Sequence, residues 1–366
     1  MGRLNSVKDD DEVEKIGKGR LAYKKIFLAI LGFILVYCLV HFLSLKDNSI
    51  VNAFLKDGLL IVLVLFLLMI GLRIYSLVSG FSKVRKFIGP QTSDKVTQII
   101  EQCKPLHRSF EPKKKHVVIM LHGFISSPVI FDELVKEFEE NEIDYQAPLI
   151  NGFGIKRIQL LFSLTEDEWI RQVTEMYDVL ASQYDSISVI GHSLGGALAL
   201  YLSQVRPVNH LILIAPAIFP CRSQKLHNFL ATNNVLFRIV PWIIPLLPVK
   251  SSGTELIDEE SVKRYKLYPV APTKGVFNIL RLQERVNVKK ADYQTLDLFY
   301  GTQDIAVDGQ KVWDYLKRDN VLHRVHRLDH TGHNPLIDSE KDLVGWIVLF
   351  ILNNELEWPP AHQVSQ

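Results

Sequence analysis

The 366-residue sequence predicts an α/β domain, a mostly parallel sheet with helices on both faces, preceded by a two-helix transmembrane hairpin. Three observations carry this expectation. From His116 onward, short apolar runs alternate with helix-length amphipathic segments, the pattern of successive strand–helix units. That alternation breaks between about Pro220 and Lys290, too long for an ordinary connection, and the stretch reads as a cap inserted into the fold. Ahead of position 81 lie two long apolar blocks.

After a 25-residue tail, the first block is Ile26 to Leu45, "IFLAILGFILVYCLVHFLSL", with no acidic or basic residue apart from His41. At about 1.5 Å per residue it matches the roughly 30 Å of a bilayer core. The second block, Gly58 to Leu72, is interrupted by Arg73, but apolar residues resume through "IYSLV". The span is therefore expected to continue to about Gly80, with Arg73 snorkelling to the interface. A cleaved signal peptide fits poorly, because the preceding charged region is long and no small-x-small site follows. A lipoprotein-type cysteine at Cys38 would need a small residue where Tyr37 stands.

Charge then sets the orientation. Lys15, Lys18, Arg20, Lys24 and Lys25 precede the first span, and Arg73, Lys83, Arg85 and Lys86 flank the second. Between the spans, Lys46 and Lys56 are balanced by Asp47 and Asp57. The positive-inside rule places both ends, and the domain that follows, on the cytoplasmic side. Cys38, Cys103 and Cys221 form neither a disulfide framework nor a metal-ligand spacing, in keeping with that compartment. Lys+Arg number 42 against Asp+Glu 40, so no basic field points to nucleic acid.

Residues 81–115 read as a linker of mixed polarity ending in "KPLHRSFEPKKK", and residues 116–366 as the α/β domain. In order come the strand "HVVIMLHG", the helix "PVIFDELVKEFEEN", the run "DYQAPLI", the helix "DEWIRQVTEMYDVLASQY" and the strand "SISVIG". A helix, "LGGALALYLSQV", and a buried strand, "HLILIAPAIF", follow. Within the cap, "VLFRIVPWIIPLLP" is broken by Pro241, Pro245 and Pro248. Alternation resumes with "TLDLFYGTQD", "GQKVWDYLKRD", "VLHRVHRL" and a last helix, "SEKDLVGWIVLFILNNEL", expected to pack on the sheet.

The chemistry centres on "VIGHSLGGALAL", where Ser193 sits at a strand-to-helix turn. A serine held out on a tight turn lies in crowded backbone, and glycine at 191 and 195 removes the side chains that would collide. Gly196 lets the following helix approach the sheet, and that helix points free N–H groups at developing negative charge. A nucleophilic serine needs a base, and the base needs an orienting carboxylate. Open α/β sheets build their sites at strand C-terminal ends, which selects Asp304 and His333 in the order Ser193, Asp304, His333. Asp308 remains an alternative acid or a helix cap, and His330 an alternative base; His323 and His326 read as surface or packing residues. An oxyanion hole is expected from the backbone N–H groups of Leu194 and of Phe124, in "LHGF". His122 is expected to brace that loop and His192 to pack beside the turn. No metal-binding cluster and no phosphate-cradling loop is apparent, so neither metal nor cofactor is expected.

Through "MLHGF", "VIGHSLGGALAL", "YGTQD" and "HTGH", the stretch from about His116 to Glu355 resembles the α/β-hydrolase superfamily. The resemblance is in particular to its carboxylesterase and monoacylglycerol-lipase-like members. The resemblance implies an α/β-hydrolase fold with an inserted cap, Ser193 as nucleophile, Asp304 as acid, His333 as base, and Phe124 and Leu194 as oxyanion donors. Serine at the turn argues against dehalogenase or epoxide-hydrolase chemistry, which uses a carboxylate. The cap matches weakly and the hairpin lies outside the usual pattern.

The expected activity is cleavage of the carboxylic ester of an acyl lipid, such as a monoacylglycerol or lysophospholipid, through an acyl-enzyme on Ser193. Its partners would be the acyl ester and the bilayer, with no nucleic acid and no metal. Acyltransferases and peptidases use the same triad, and a non-catalytic membrane scaffold is the reading from a different class. Trp242, Ile243, Ile244, Leu246 and Leu247 are expected either to pack the cap or to line an acyl tunnel or touch the bilayer, with Trp242 and Leu246 singled out as substrate-binding.

The hairpin makes a testable claim. In intact cells, an impermeant thiol reagent should label Asn48→Cys and leave Gln366→Cys untouched; labelling of the latter from outside would overturn the topology.

Overall fold

The computed structural model describes residues 50–88, 103–112, 114–154, 162, 164–219, 234–249, 269–318 and 324–353. Contacts divide the chain into two units, Met1–Ile74 and Tyr75–Gln366. Described residues of the first belong to helix α1 (Ile50–Ile88). Gly58–Lys86 is, among the described residues, the one stretch of helix long and apolar enough to cross a bilayer by length and composition. Leu60, Ile61, Val62, Val64 and Leu65 are exposed, unlike the side chains of a core helix. The helix starts within the expected inter-span loop and runs past Gly80 to Ile88; the next proline is Pro90. The other expected span, Ile26–Leu45, and the tail before it lie outside the described residues.

The unit Tyr75–Gln366 carries the sheet. Its strands are β1 (Leu106–Arg108), β2 (His116–Leu121), β3 (Asp144–Ala147), β4 (Ser186–His192), β5 (Val208–Ile214), β6 (Leu246–Pro248), β7 (Val270–Pro272), β8 (Tyr293–Gly301) and β9 (Arg324–Leu328). Seven of them form one sheet in the order β1-β3-β2-β4-β5-β8-β9, with β6 and β7 a separate pair. β1 runs antiparallel to β3, and the remaining neighbours are parallel. The edge strand β1 falls inside the expected linker, so the sheet begins before His116. Three residues with two exposed side chains give no apolar run to detect.

Strand side chains alternate between two apolar layers. On one face Ile119, Leu121, Val189 and Leu213 pack with α3 (Glu166–Ala181) and α4 (Leu194–Ser203). On the other, Val118, Met120, Ile190 and Ile212 pack with α2 (Asp132–Glu140) and α8 (Lys341–Asn353). The last helix thus packs on the sheet, as its charged start suggested. Cross-strand partners such as Leu121 with Gly191, Ile214 with Phe299 and Gly301 with Leu328 bring the strand C-terminal ends level. The loops after β2, β4, β5, β8 and β9 therefore converge at one end of the sheet.

Of the expected cap, described residues form α5 (Asn234–Ile243), the β6–β7 pair and α6 (Thr273–Arg285). α5 leans on α6 through Phe237 and Phe277, whose rings meet edge-on at 5.5 Å, with Arg281 over Phe237. Ser76 Oγ donates to Leu246 O at 2.7 Å and accepts from Leu246 N–H at 3.0 Å, which ties β6 to the end of α1. The helix α7 (Gly309–Arg318) completes the set between β8 and β9.

One buried ion cluster secures the β8–β9 edge. Asp297 is fully buried and accepts from Arg324 Nε at 2.7 Å and Nη2 at 2.8 Å, with His326 Nε2 at 2.9 Å from the same carboxylate. Burial alone would raise the Asp297 carboxyl; the hydrogen bonds and charges of His326 and Arg324 outweigh it and hold it below its ordinary 3.8. The unfolded chain thus takes up this proton first as pH falls. The stabilisation is complete above about pH 4 and is lost as pH drops through the folded-state value. Arg324→Met should cost about 2–3 kcal/mol at neutral pH, because it leaves a buried carboxylate half-paired. Thermal unfolding of the full chain in detergent measures it, and an unchanged Tm would refute it.

Candidate active site

Ser193 joins β4 to α4 with φ 53° and ψ −115°, left-handed backbone that a β-substituted residue rarely adopts. Its surroundings over-determine that geometry. The Ser193 N–H donates to Ile214 O at 3.0 Å, and its carbonyl accepts from Gly196, Ala197 and Ala217 at 2.9–3.2 Å. A Cβ on Gly195 would run into the Leu121 carbonyl, and one on Gly191 into the Gly195 carbonyl. A Cβ on Gly196 would lie 2.7 Å from Pro216 Cβ. The glycines therefore have the steric role their spacing suggested.

Ser193 Oγ lies 2.9 Å from His333 Nε2, and His333 Nδ1 lies 2.8 Å from Asp304 Oδ2. The other Asp304 oxygen accepts from the Ala306 and Val307 N–H groups at 2.7 and 2.9 Å. Burial would raise this carboxyl, but the His333 charge and hydrogen bond, with the two backbone donors, leave it below its ordinary 3.8. An ionised Asp304 holds the imidazole with Nδ1 protonated and Nε2 open to the serine proton. The loop carrying His333 is itself held, since Asp338 Oδ2 accepts from Gly332 N–H at 2.8 Å. At Gly301 a Cβ would collide with the Thr331 and Gly332 carbonyls, so glycine there lets the Asp304 and His333 loops meet.

The alternatives take other places. Asp308 accepts from Lys311 N–H at 3.0 Å and pairs with Lys311 Nζ at 2.6 Å, serving the start of α7. His330 is exposed. His326 stacks on Phe299 at 4.3 Å and belongs to the Asp297 cluster, while His323 lies outside the described residues.

Two further histidines act on backbone. Ile150 N–H donates to His122 Nε2 at 2.9 Å, so Nδ1 carries the proton and donates to Gly123 O at 2.8 Å. Burial lowers this imidazole to about 4, keeping it neutral. His122 thus braces the peptide that leads to Phe124. His192 Nε2 donates to His333 O at 2.8 Å, and burial, helped by the His333 charge, lowers it to about 3. Leu194 is fully buried as the first residue of α4, where a backbone N–H has no intrahelical acceptor.

Ser193 and His333 open on a cavity of about 270 Å³ that Phe124 and Ile125 also line. One wall comes from α6 through Val276, Ile279, Leu280 and Gln283, successive positions on one helical face. Sequence reasoning missed this wall. Apolar residues of α6 also include Phe277 and Leu282, which are buried, so periodicity alone does not say which stripe meets the cavity. Trp242 and Leu246, expected to touch substrate, are not among the cavity-lining residues. Leu246 is buried against the Ser76–Gly80 end of α1, and Trp242 is 43% exposed on α5.

Residues 112–340 match a hydrolase family described as "Serine aminopeptidase, S33". The chain belongs to this family. A carboxylesterase of Bacillus subtilis is 24% identical over 246 residues, covering 66% of this chain and 93% of that protein. A thermostable monoacylglycerol lipase of a Bacillus species is 29% identical over 90 residues, 25% of this chain and 36% of that one. The monoacylglycerol lipase structure from Paleococcus ferrophilus superposes with TM-score 0.55 at 17% identity, over 69% of this chain and 100% of that chain. The chain is thus an α/β-fold hydrolase of the carboxylesterase and lipase kind.

Gly195→Ala should disable the turn, because its Cβ meets backbone that cannot move aside. We expect roughly 1–3 kcal/mol lost stability and no labelling by a fluorophosphonate probe. Wild-type labelling by a folded variant would contradict this account.

Proposed function

We propose that this hydrolase is a membrane-anchored serine esterase that cleaves the carboxylic ester of an acyl lipid, with Ser193 as nucleophile. The observation that carries the reading is the hydrogen-bonded relay Ser193–His333–Asp304 opening on an apolar cavity. His333 takes the Ser193 proton through Nε2 as Oγ attacks the ester carbonyl. Asp304 holds the ring in the required tautomer and stabilises the imidazolium. The Phe124 and Leu194 N–H groups bind the oxyanion. His333 then protonates the departing alcohol, leaving an acyl-enzyme, and activates the water that releases the acid.

An ester is favoured over a peptide with a free N-terminus by the lining itself. Capture of an ammonium group calls for a carboxylate, and the cavity-lining residues among those described include neither Asp nor Glu. Acyl transfer to another alcohol would run through the same acyl-enzyme. The apolar helix Gly58–Lys86 and the Ile26–Leu45 block support an anchor of two spans with the domain on the cytoplasmic side, as loop charge indicates. That anchor would keep the site close to lipid substrates such as a monoacylglycerol or lysophospholipid.

Ser193→Ala should lower ester turnover by about five to six orders of magnitude without unfolding the domain. Asp304→Asn should cost on the order of ten-thousandfold by favouring the wrong tautomer, while Asp308→Asn should stay within about tenfold of wild type. Steady-state hydrolysis of a medium-chain ester tests all three. Near-normal turnover by folded Ser193→Ala would refute the assignment.

A further inference from the structure

Leu246 is buried in β6 and stands opposite Pro272 of β7, which has no N–H to give. Both backbone polar groups of Leu246 go instead to one side chain. Ser76 Oγ donates to its carbonyl at 2.7 Å and accepts from its N–H at 3.0 Å, so a single buried hydroxyl completes both. One helical turn further on, a Cβ at Gly80 would run into the Leu246 side chain, so glycine lets β6 lie directly on the helix. Ser76 and Gly80 are in the last turns of α1 and belong to the same unit as the sheet.

From Leu246 a short path of contacts leads to the reacting centre. The two residues before it receive the start of α6, since Thr273 N–H donates to Pro245 O at 3.1 Å and Thr273 Oγ1 donates to Ile244 O. Two residues on, the same helix meets the loop after β2. A Cβ on Gly275 would lie 2.7 Å from Phe124 Cε2, so the first turn of α6 rests on the Phe124 ring. That ring also meets Phe153 edge-on at 5.3 Å. Val276 and Leu280, further along α6, line the cavity beside Ser193.

We propose that Ser76 and Gly80 are positioning residues for the hydrolytic reaction: by clasping Leu246 they hold the first turn of α6 against Phe124, and so fix the N–H that binds the oxyanion. This rests on the ester-hydrolase reading above. An oxyanion donor is effective only within hydrogen-bond distance of the charge that develops. A displacement of about 1 Å in a supporting element is enough to slow turnover. Without the Ser76 hydroxyl, the N–H and carbonyl of Leu246 are left buried and dry, and β6 must shift to pair them again. The start of α6 moves with β6, because Thr273 is bonded to Pro245 and Ile244. The end of the helix read as an anchor thus supports turnover as well as attachment.

The test separates positioning from mere stability by counting working sites. In the full chain in detergent, reactive serines are titrated to completion with a fluorophosphonate probe, and kcat and KM for p-nitrophenyl butyrate are expressed per titrated site. Ser76→Ala should lower kcat per site about tenfold and leave KM within about threefold of wild type. A clasp that only stabilises the fold would reduce the number of titratable sites and leave kcat per site unchanged. A Ser76→Ala kcat per site within about twofold of wild type, or a change confined to KM, overturns the proposal while leaving ester hydrolysis intact. If Ser76→Ala does not fold, Gly80→Ala decides, since its methyl presses on Leu246 and keeps the Ser76 bonds; kcat per site should fall about threefold, and an unchanged value overturns the proposal. Wild type that neither reacts with the probe nor turns over the ester overturns the hydrolase reading itself.

Discussion

The left-handed backbone at Ser193 is the constraint on which the site depends. A non-glycine residue at φ 53° is unfavourable by itself and persists only where its neighbours leave no other choice. Here β5 supplies Ile214 O to the serine N–H, and the following turn supplies Ala217 N–H to its carbonyl. The glycines at 191, 195 and 196 let β2, β4 and the start of α4 close around it without collision. Ser193 is thus placed by backbone, and its hydroxyl remains available to His333.

Around that turn, neutral and ionised groups are sorted by burial and partner. His122 and His192 are buried without a carboxylate partner, so they stay neutral and use their ring nitrogens on backbone. Asp304 is also buried, but three donors, from His333, Ala306 and Val307, together with the charge on the imidazole side keep it ionised. His333 therefore faces one fixed negative charge on one side and a hydroxyl on the other. That is the asymmetry a general base needs, and it arises from which groups are hydrogen-bonded rather than from exposure to water.

The described part of the cap has two distinct roles. Asn234–Ile243 leans on Thr273–Arg285 through Phe237 and Phe277, and the β6 strand is held to the end of α1 by Ser76 clasping Leu246. Thr273–Arg285 turns inward and builds the cavity wall. Substitutions in the first group are felt through the packing of the cap, whereas Val276, Ile279, Leu280 and Gln283 line the cavity beside Ser193.

The sequence by itself determined the α/β alternation, the turn at Ser193, and the small set of carboxylates and histidines from which a relay can be drawn. These are legible because apolar periodicity and the steric demand for glycine act within a few residues of chain. Tertiary structure alone decided the rest. Asp304, at the end of its strand, is the acid the sequence favours, with Asp308 four residues on as the alternative, and it is the fold that gives the first to His333 and the second to Lys311. The edge strand Leu106–Arg108 exists because β3 pairs with it, not because its residues announce a strand. Likewise α6 carries apolar residues on more than one side, and which of them line the cavity depends on partners remote in sequence. The physical reason is common to all three. A hydrogen bond or a packed face is completed by a distant partner, and no local pattern records where that partner will be.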